Sequence, residues 1–164
     1  PVNTDQVATM ASYTYSELGN PKVAILYETT QVDTVDMAKA FKDTYTGLGG
    51  EIVAEATYQI NDVEFRAQLT SLAQSNPSYL FMPVMGYKEA GYVAKQLSEL
   101  GLGDIKLIGN YVYDTEDLLT LAGPELEGCI FATDGDLSDS RFDEIKAEYQ
   151  EYQQATVCRY TCKD

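Results

Sequence analysis

The chain has 164 residues, 45% hydrophobic and 23% charged, a length and balance that fit one folded domain with its own core. Its 26 acids against 11 bases leave a net charge of −15, which repels nucleic acid phosphates and anionic lipid heads, so no nucleic acid partner is expected. Histidine is absent, which excludes Ser-His-Asp and Cys-His nucleophilic sites and the commonest zinc ligand.

No apolar run approaches the ~20 residues needed to cross a bilayer. No signal sequence opens the chain, so it is expected to be mature, truncated or cytosolic. Residues 4–18 read as a helix, with Thr4 as N-cap and Val7, Met10, Ala11 and Leu18 on one face. Pro21 stops it, and the run 23–27 (Val-Ala-Ile-Leu-Tyr) reads as a buried strand. A second helix spans 33–48, with Ala38, Phe41, Tyr45 and Leu48 at helical spacing, ended by Gly49 and Gly50 in a left-handed cap. Residues 52–57 alternate like a strand. Asn61 and Asp62 are placed to cap a helix carrying Phe65, Leu69 and Leu72, which Pro77 ends. The third strand is 79–82. A helix over 88–100 carries Ala90, Val93, Ala94, Leu97 and Leu100 inward and closes at Gly101. The fourth strand is 105–108. A short helix follows over 115–122, broken by Gly123-Pro124, then a fifth strand over 128–132. Phe142, Ile145, Tyr149 and Tyr152 mark a last helix.

Strands joined by helical crossovers are too widely spaced for hairpins, so they imply a parallel sheet covered on both faces. The expected fold is an α/β, three-layer, doubly wound (Rossmann-like) sheet of order 2-1-3-4-5. Residues 1–153 are expected to form one domain, with 154–164 as an irregular tail.

In such a sheet a ligand sits beyond the carboxyl ends of the strands, at the switch point between strands one and three. The loops there are 28–34, 83–87 and 109–114, with 133–136 further out. They offer hydroxyls, tyrosine rings and carboxylates, with no cation or thiol, which suits a polar or zwitterionic small molecule and does not suit nucleophilic catalysis. The candidate ligand contacts are Asp33, Thr34, Gly86, Tyr87, Tyr111, Tyr113 and Asp114. Each has a structural reading as well: Asp33, Thr34 or Asp114 as a helix N-cap, Tyr87 as a loop tyrosine lying on the helix below. Asp134 and Asp136 are spaced like calcium ligands, but the loop lacks the length and terminal Glu of an EF-hand. Cys129 is expected as a small buried core residue. Cys158 and Cys162, four apart, fall short of a tetrahedral metal site. Neither metal nor cofactor is implied.

Rival folds of this architecture are tested by the same loops. A Rossmann nucleotide site needs a glycine-rich turn after strand one, and 28–34 contains no glycine. A flavodoxin-like enzyme finds only a faint match in Thr29, Thr30 and Thr34. A receiver domain needs an Asp ending strand three and a Lys after strand five, and the chain has neither there.

The segments 22–27, 48–55, 64–69, 96–101 and 121–131 together resemble the branched-chain amino acid type of periplasmic solute-binding protein (type I fold), in order, over about residues 2–153. The resemblance implies the second lobe of a two-lobed protein that closes on its ligand. The first lobe is then missing from the chain, which is expected to be a cut or truncated product. It implies an extracytoplasmic component of an ABC importer, with an amino acid-like ligand and a membrane permease as partners, and no enzyme activity. Tyr87 stands where the family often has a cleft-lining Tyr. Asp33-Thr34 stand where it has a Tyr-Gly or Tyr-Ser pair. Tyr111 stands where amino acid-binding members carry an acid for the ammonium, with Asp114 three residues on. Asp33 or Asp114 is the expected substitute, and an amide or aromatic acid is the alternative ligand. A ligand-sensing domain of a receptor or regulator reuses the same lobe and is the alternative function.

Overall fold

Apolar side chains that alternate in β1 (Val23–Glu28) leave both faces of that strand dry, which demands cover on both sides. The computed structural model, which describes residues 2–133, supplies it. A five-stranded parallel sheet runs in the order β2-β1-β3-β4-β5, as expected, with β2 at Ile52–Tyr58, β3 at Tyr79–Phe81, β4 at Lys106–Gly109 and β5 at Ile130–Phe131. Helices α1 (Val2–Ser16) and α2 (Val32–Gly47) cover one face; α3 (Arg66–Ala73), α4 (Tyr87–Glu99) and α5 (Glu116–Ala122) cover the other.

Each face has its own core. Val23, Ile25, Phe81 and Ile108 point towards α1 and α2, where Phe41 stacks on Phe81 with ring centroids 4.1 Å apart. Ala24, Leu26, Leu80, Met82 and Leu107 point the other way, against Leu69, Leu72, Val93 and Leu97. The apolar periods of the sequence are thus the two core faces.

Several element boundaries differ from expectation. Helix α1 already runs from Val2, so Thr4 lies inside it and is not the N-cap. Helix α3 starts at Arg66, four residues beyond the expected Asn61-Asp62 cap. Asn61 instead sits in a left-handed turn at φ 68°, closed by the Gln59 N–H donating to the Asp62 carboxylate at 2.9 Å. Helix α5 is capped by Thr115, whose hydroxyl accepts from the Asp117 N–H at 3.3 Å, and not by Asp114. Neither Asp33 nor Thr34 caps α2; both lie within its first turn. Gly49, at φ +97°, follows the C-cap Leu48 of α2 as the left-handed ending predicts. Cys129 is only half-buried against the α4 core. The expected last helix, Asp134, Asp136, Cys158, Cys162 and the tail 154–164 lie outside the described residues.

Register matters at one place. The pairing of β1 with β2 starts at Val23–Ile52, shifts by one residue, and continues from Ala24–Ala54 to Glu28–Tyr58. Without that bulge Thr57 would stand opposite Glu28; with it, Glu28 and Tyr58 emerge side by side on the α4 face.

Glycine is required where β4 ends. A Cβ on Gly109 would lie 2.3 Å from the Tyr113 ring, and that ring is buried with its hydroxyl donating to the Met82 carbonyl at 3.1 Å. The ring has nowhere to go. Gly109→Ala is therefore expected to lower stability by about 1–3 kcal/mol, read from urea unfolding at unchanged m-value.

Candidate functional site

Where a strand becomes a loop, backbone N–H and C=O groups lose their sheet partners and must find others if they stay buried. At the carboxyl edge of this sheet four buried polar side chains provide them.

The first is Glu28, the last residue of β1 and only 3% exposed. Its carboxylate accepts from the Thr30 N–H and the Thr30 hydroxyl, both at 2.5 Å, and from the Gln31 N–H at 2.8 Å. Gln31 is the N-cap of α2 and offers no side-chain cap of its own. Glu28 thus serves as an internal anion at the start of that helix. Burial alone would raise its pKa, but the hydrogen bonds from Thr30, Gln31 and the Ile60 backbone outweigh it and hold the carboxyl below its ordinary 4.5. Thr34 completes this corner, its hydroxyl shared between the carbonyls of Glu28 and Gln31 at 2.8 Å each.

Gln96 and Asn110 act alike. The Asn110 side chain accepts from the Val84 N–H at 3.1 Å and donates to the Val84 carbonyl at 2.9 Å. Gln96, on α4, accepts from the Phe65 N–H at 2.7 Å and donates to the Val63 carbonyl at 2.8 Å. Each primary amide replaces the two-bond pairing that a neighbouring strand would have given. The loops after β1, β2 and β3 are all pinned in this way.

Those three loops enclose a cavity of about 230 Å³ above β2, β1 and β3. Its wall combines Glu28, Gln31 and Thr34 from the first loop, Tyr58, Ile60 and Asn61 from the second, and Met85, Gly86 and Glu89 from the third. It holds two carboxylates, a phenol and two apolar side chains, and no lysine or arginine. A complete small-molecule site is typically larger, about 300–1,000 Å³; this is the size of part of one.

The sequence-predicted contacts divide accordingly. Thr34 and Gly86 line the cavity. Tyr87, the first residue of α4, is half-buried beside it against the α4 core. Tyr111 is half-buried in the 3-10 turn after β4. Asp33 is exposed on α2 and Asp114 is exposed with its carboxylate accepting from the Thr133 hydroxyl at 2.9 Å; neither lines the cavity. Tyr113 is moved from the rim into the core, because Gly109 leaves room for its ring beneath the loop. Glu28, Tyr58 and Glu89 also line the cavity and are not among the sequence-predicted contacts; the place of Glu28 directly after the apolar run 23–27 is the signal that points to it.

A larger hollow of about 520 Å³ runs along β5 beside α1, lined by Met10, Tyr13 and Phe131 among others. It ends at Thr133, the last described residue, and no site is assigned to it. Cys129, the one cysteine among the described residues, has its thiol pKa raised by burial and by Glu127, which favours the protonated thiol. No cluster of three His, Cys, Asp or Glu among the described residues is placed to hold a metal. No helix among them is long and apolar enough to cross a membrane.

A family model described as "Periplasmic binding protein" matches residues 1–158. Among solved structures, a leucine binding protein from Thermotoga maritima superimposes with a TM-score of 0.81 at 24% identity, covering 92% of this chain and 43% of its own. A branched-chain amino acid transporter substrate binding protein from Streptococcus pneumoniae, in complex with isoleucine, gives 0.64 at 26% identity over 71% of this chain and 32% of its own. A solute binding protein of an ABC transporter from Rhodopseudomonas palustris, in complex with 3,4-dihydroxybenzoic acid, gives 0.64 at 27% over 74% and 34%. The chain therefore spans less than half the length of each of these proteins. No curated protein sequence matches it.

Because the folded pKa of Glu28 lies below its ordinary value, its contribution is full above about pH 4.5 and is lost as pH falls through the folded value. Glu28→Gln sets an NH₂ or a neutral oxygen against those donors and is expected to cost about 1–3 kcal/mol at pH 7. Urea unfolding of both proteins from pH 7 to pH 3 should show the gap closing only below about pH 4.5.

Proposed function

The chain belongs to the periplasmic binding protein family, as one lobe of its type I fold, and from this we propose that it binds a small organic solute at the carboxyl edge of its sheet for an ABC importer. The observation that carries the reading is the 230 Å³ cavity whose three enclosing loops are pinned by buried Glu28, Gln96 and Asn110. A site held ready in this way suits recognition, since little ordering is left to oppose binding.

The proposed solute is an amino acid or a similar small polar molecule. It lies between this lobe and another that the longer relatives carry, and its presence favours the closed arrangement of the two. Thr34 and Gly86 line the pocket on this side, with Tyr87 next to Gly86, and Tyr111 is a proposed contact from the turn after β4. The protein acts outside the cytoplasmic membrane and hands its solute to a membrane permease. A catalytic role finds little support: the chain has no histidine, and burial raises the Cys129 thiol.

The test is thermal denaturation of the gene product that carries this chain, with leucine, isoleucine, benzoate and 3,4-dihydroxybenzoate each at a large excess. A bound solute at about 100 times its Kd stabilises by about 2.7 kcal/mol, a shift of several degrees, and Tyr87→Ala should abolish most of it. No shift with any of the four would contradict the reading.

A further inference from the structure

The loop after β2, residues 59–65, is the longest of the three that enclose the cavity, and β2 is an edge strand with a neighbour on one side only. Ile60 and Asn61 from this loop stand in the cavity wall. Its first half is held by the turn between Gln59 and Asp62 and by the bond from the Ile60 backbone to Glu28. Ile60 and Val63 are 50% and 63% exposed, so burial of those side chains does little to fix it.

The second half is fixed from another element. Gln96, in the last turn of α4 and 7% exposed, accepts from the Phe65 N–H at 2.7 Å and donates to the Val63 carbonyl at 2.8 Å. The Phe65 ring is fully buried and meets the Tyr58 ring edge-on, with centroids 5.3 Å apart and planes at 77°. Tyr58 lines the cavity; Gln96 does not. A path of direct contacts thus runs from α4 through Phe65 to the cavity wall. The start of the same helix brings Gly86 and Glu89 to that wall. One helix therefore supplies the third-loop wall at one end and holds the second-loop wall from the other.

A second tie spans the same gap, since Arg66 pairs with both Glu64 and Glu99. All three side chains are exposed, and ion pairs in water contribute little. The Gln96 bonds weigh more, because their loss strands the buried Phe65 N–H without a partner.

We propose that Gln96 is a positioning residue for the solute site. Acting from outside the cavity, it keeps the 59–65 loop and the start of α4 in the one relation that receives solute. This role rests on the reading of the carboxyl edge as the solute site. Without the carboxamide the loop is in place only part of the time, and the apparent affinity falls by that fraction. The bound form is unchanged, so the loss falls on association and not on dissociation.

The test takes whichever of leucine, isoleucine, benzoate and 3,4-dihydroxybenzoate most stabilises the wild-type gene product that carries this chain. Its association and dissociation rates are measured by stopped flow in wild type, Gln96→Met, Gln96→Glu, Arg66→Met and Phe41→Leu, with urea unfolding of each. Gln96→Met removes both bonds at similar volume. It should slow association about tenfold and change dissociation less than about twofold. Gln96→Glu, which loses the donor to Val63, should also slow association. Arg66→Met should change it less than about threefold. Phe41→Leu, in the core on the other face of the sheet, should lower the urea midpoint and leave association unchanged. In the ligand-free protein the Phe65 amide should exchange at least about tenfold faster in Gln96→Met, while the Val84 amide, held by Asn110, is unchanged. Association that is unchanged in both Gln96 variants, or slowed as much in Phe41→Leu, would overturn the positioning role and leave the solute-binding reading standing. A wild type that binds none of the four solutes would overturn that reading, and the role with it.

Discussion

Backbone groups that leave a parallel sheet at its carboxyl edge have no strand beside them, and in this protein several of them are buried or part-buried. The rest of the edge depends on how that demand is met. Glu28 answers it for the loop after β1, Gln96 for the loop after β2 and Asn110 for the loop after β3. A lost partner would leave a buried donor or acceptor with no replacement, at about 1–3 kcal/mol each. The three side chains come from different elements: the end of β1, the last turn of α4 and the residue after β4. The loops are therefore tied to the sheet and to one another through the framework.

The consequence for function is a cavity whose shape is set before any ligand arrives. Its size is that of a partial site, consistent with a chain that spans less than half the length of the solved structures it matches. Its chemistry follows from one bulge. The one-residue shift in the β1–β2 pairing puts Tyr58 beside Glu28 on the α4 face, so that a phenol and a carboxylate share the pocket floor. The carboxylate is consumed by the loop, while the phenol is buried on the wall of the cavity.

Much of this architecture was legible from the residues. The unbroken apolar run of β1, the stripe of Ala90, Val93, Ala94 and Leu97, and the Gly49-Gly50 stop each rest on local rules, and the strand order follows from crossover handedness. The family resemblance held over the same stretch. The site was less legible, for physical reasons. A glutamate ending a buried strand looks like a loop residue unless its hydrogen-bond partners are known. Gln96 lies on a helix whose apolar stripe says nothing about the loop above it. The bulge that brings Tyr58 to the cavity leaves no mark in the alternation of 52–58. Carboxylates near a helix start, such as Asp33 and Asp114, suit both caps and ligands; neither caps a helix, and both are exposed outside the cavity. Tyr113 reads as one of three rim tyrosines, with Tyr87 and Tyr111, and the missing Cβ at Gly109 leaves the space that its ring fills.

The claim that the edge is built in advance is tested most directly by native-state hydrogen exchange of the ligand-free protein. The backbone amides of Thr30, Gln31, Phe65 and Val84 all lie outside the strands, and each donates to a buried side chain. If the loops are held as described, these four should exchange as slowly as core amides of β1, within about tenfold. Exchange at the rates of an open loop, with the β1 amides still protected, would contradict the account: the polar side chains would then be bystanders, and the cavity would form only when a ligand or a second lobe closed over it.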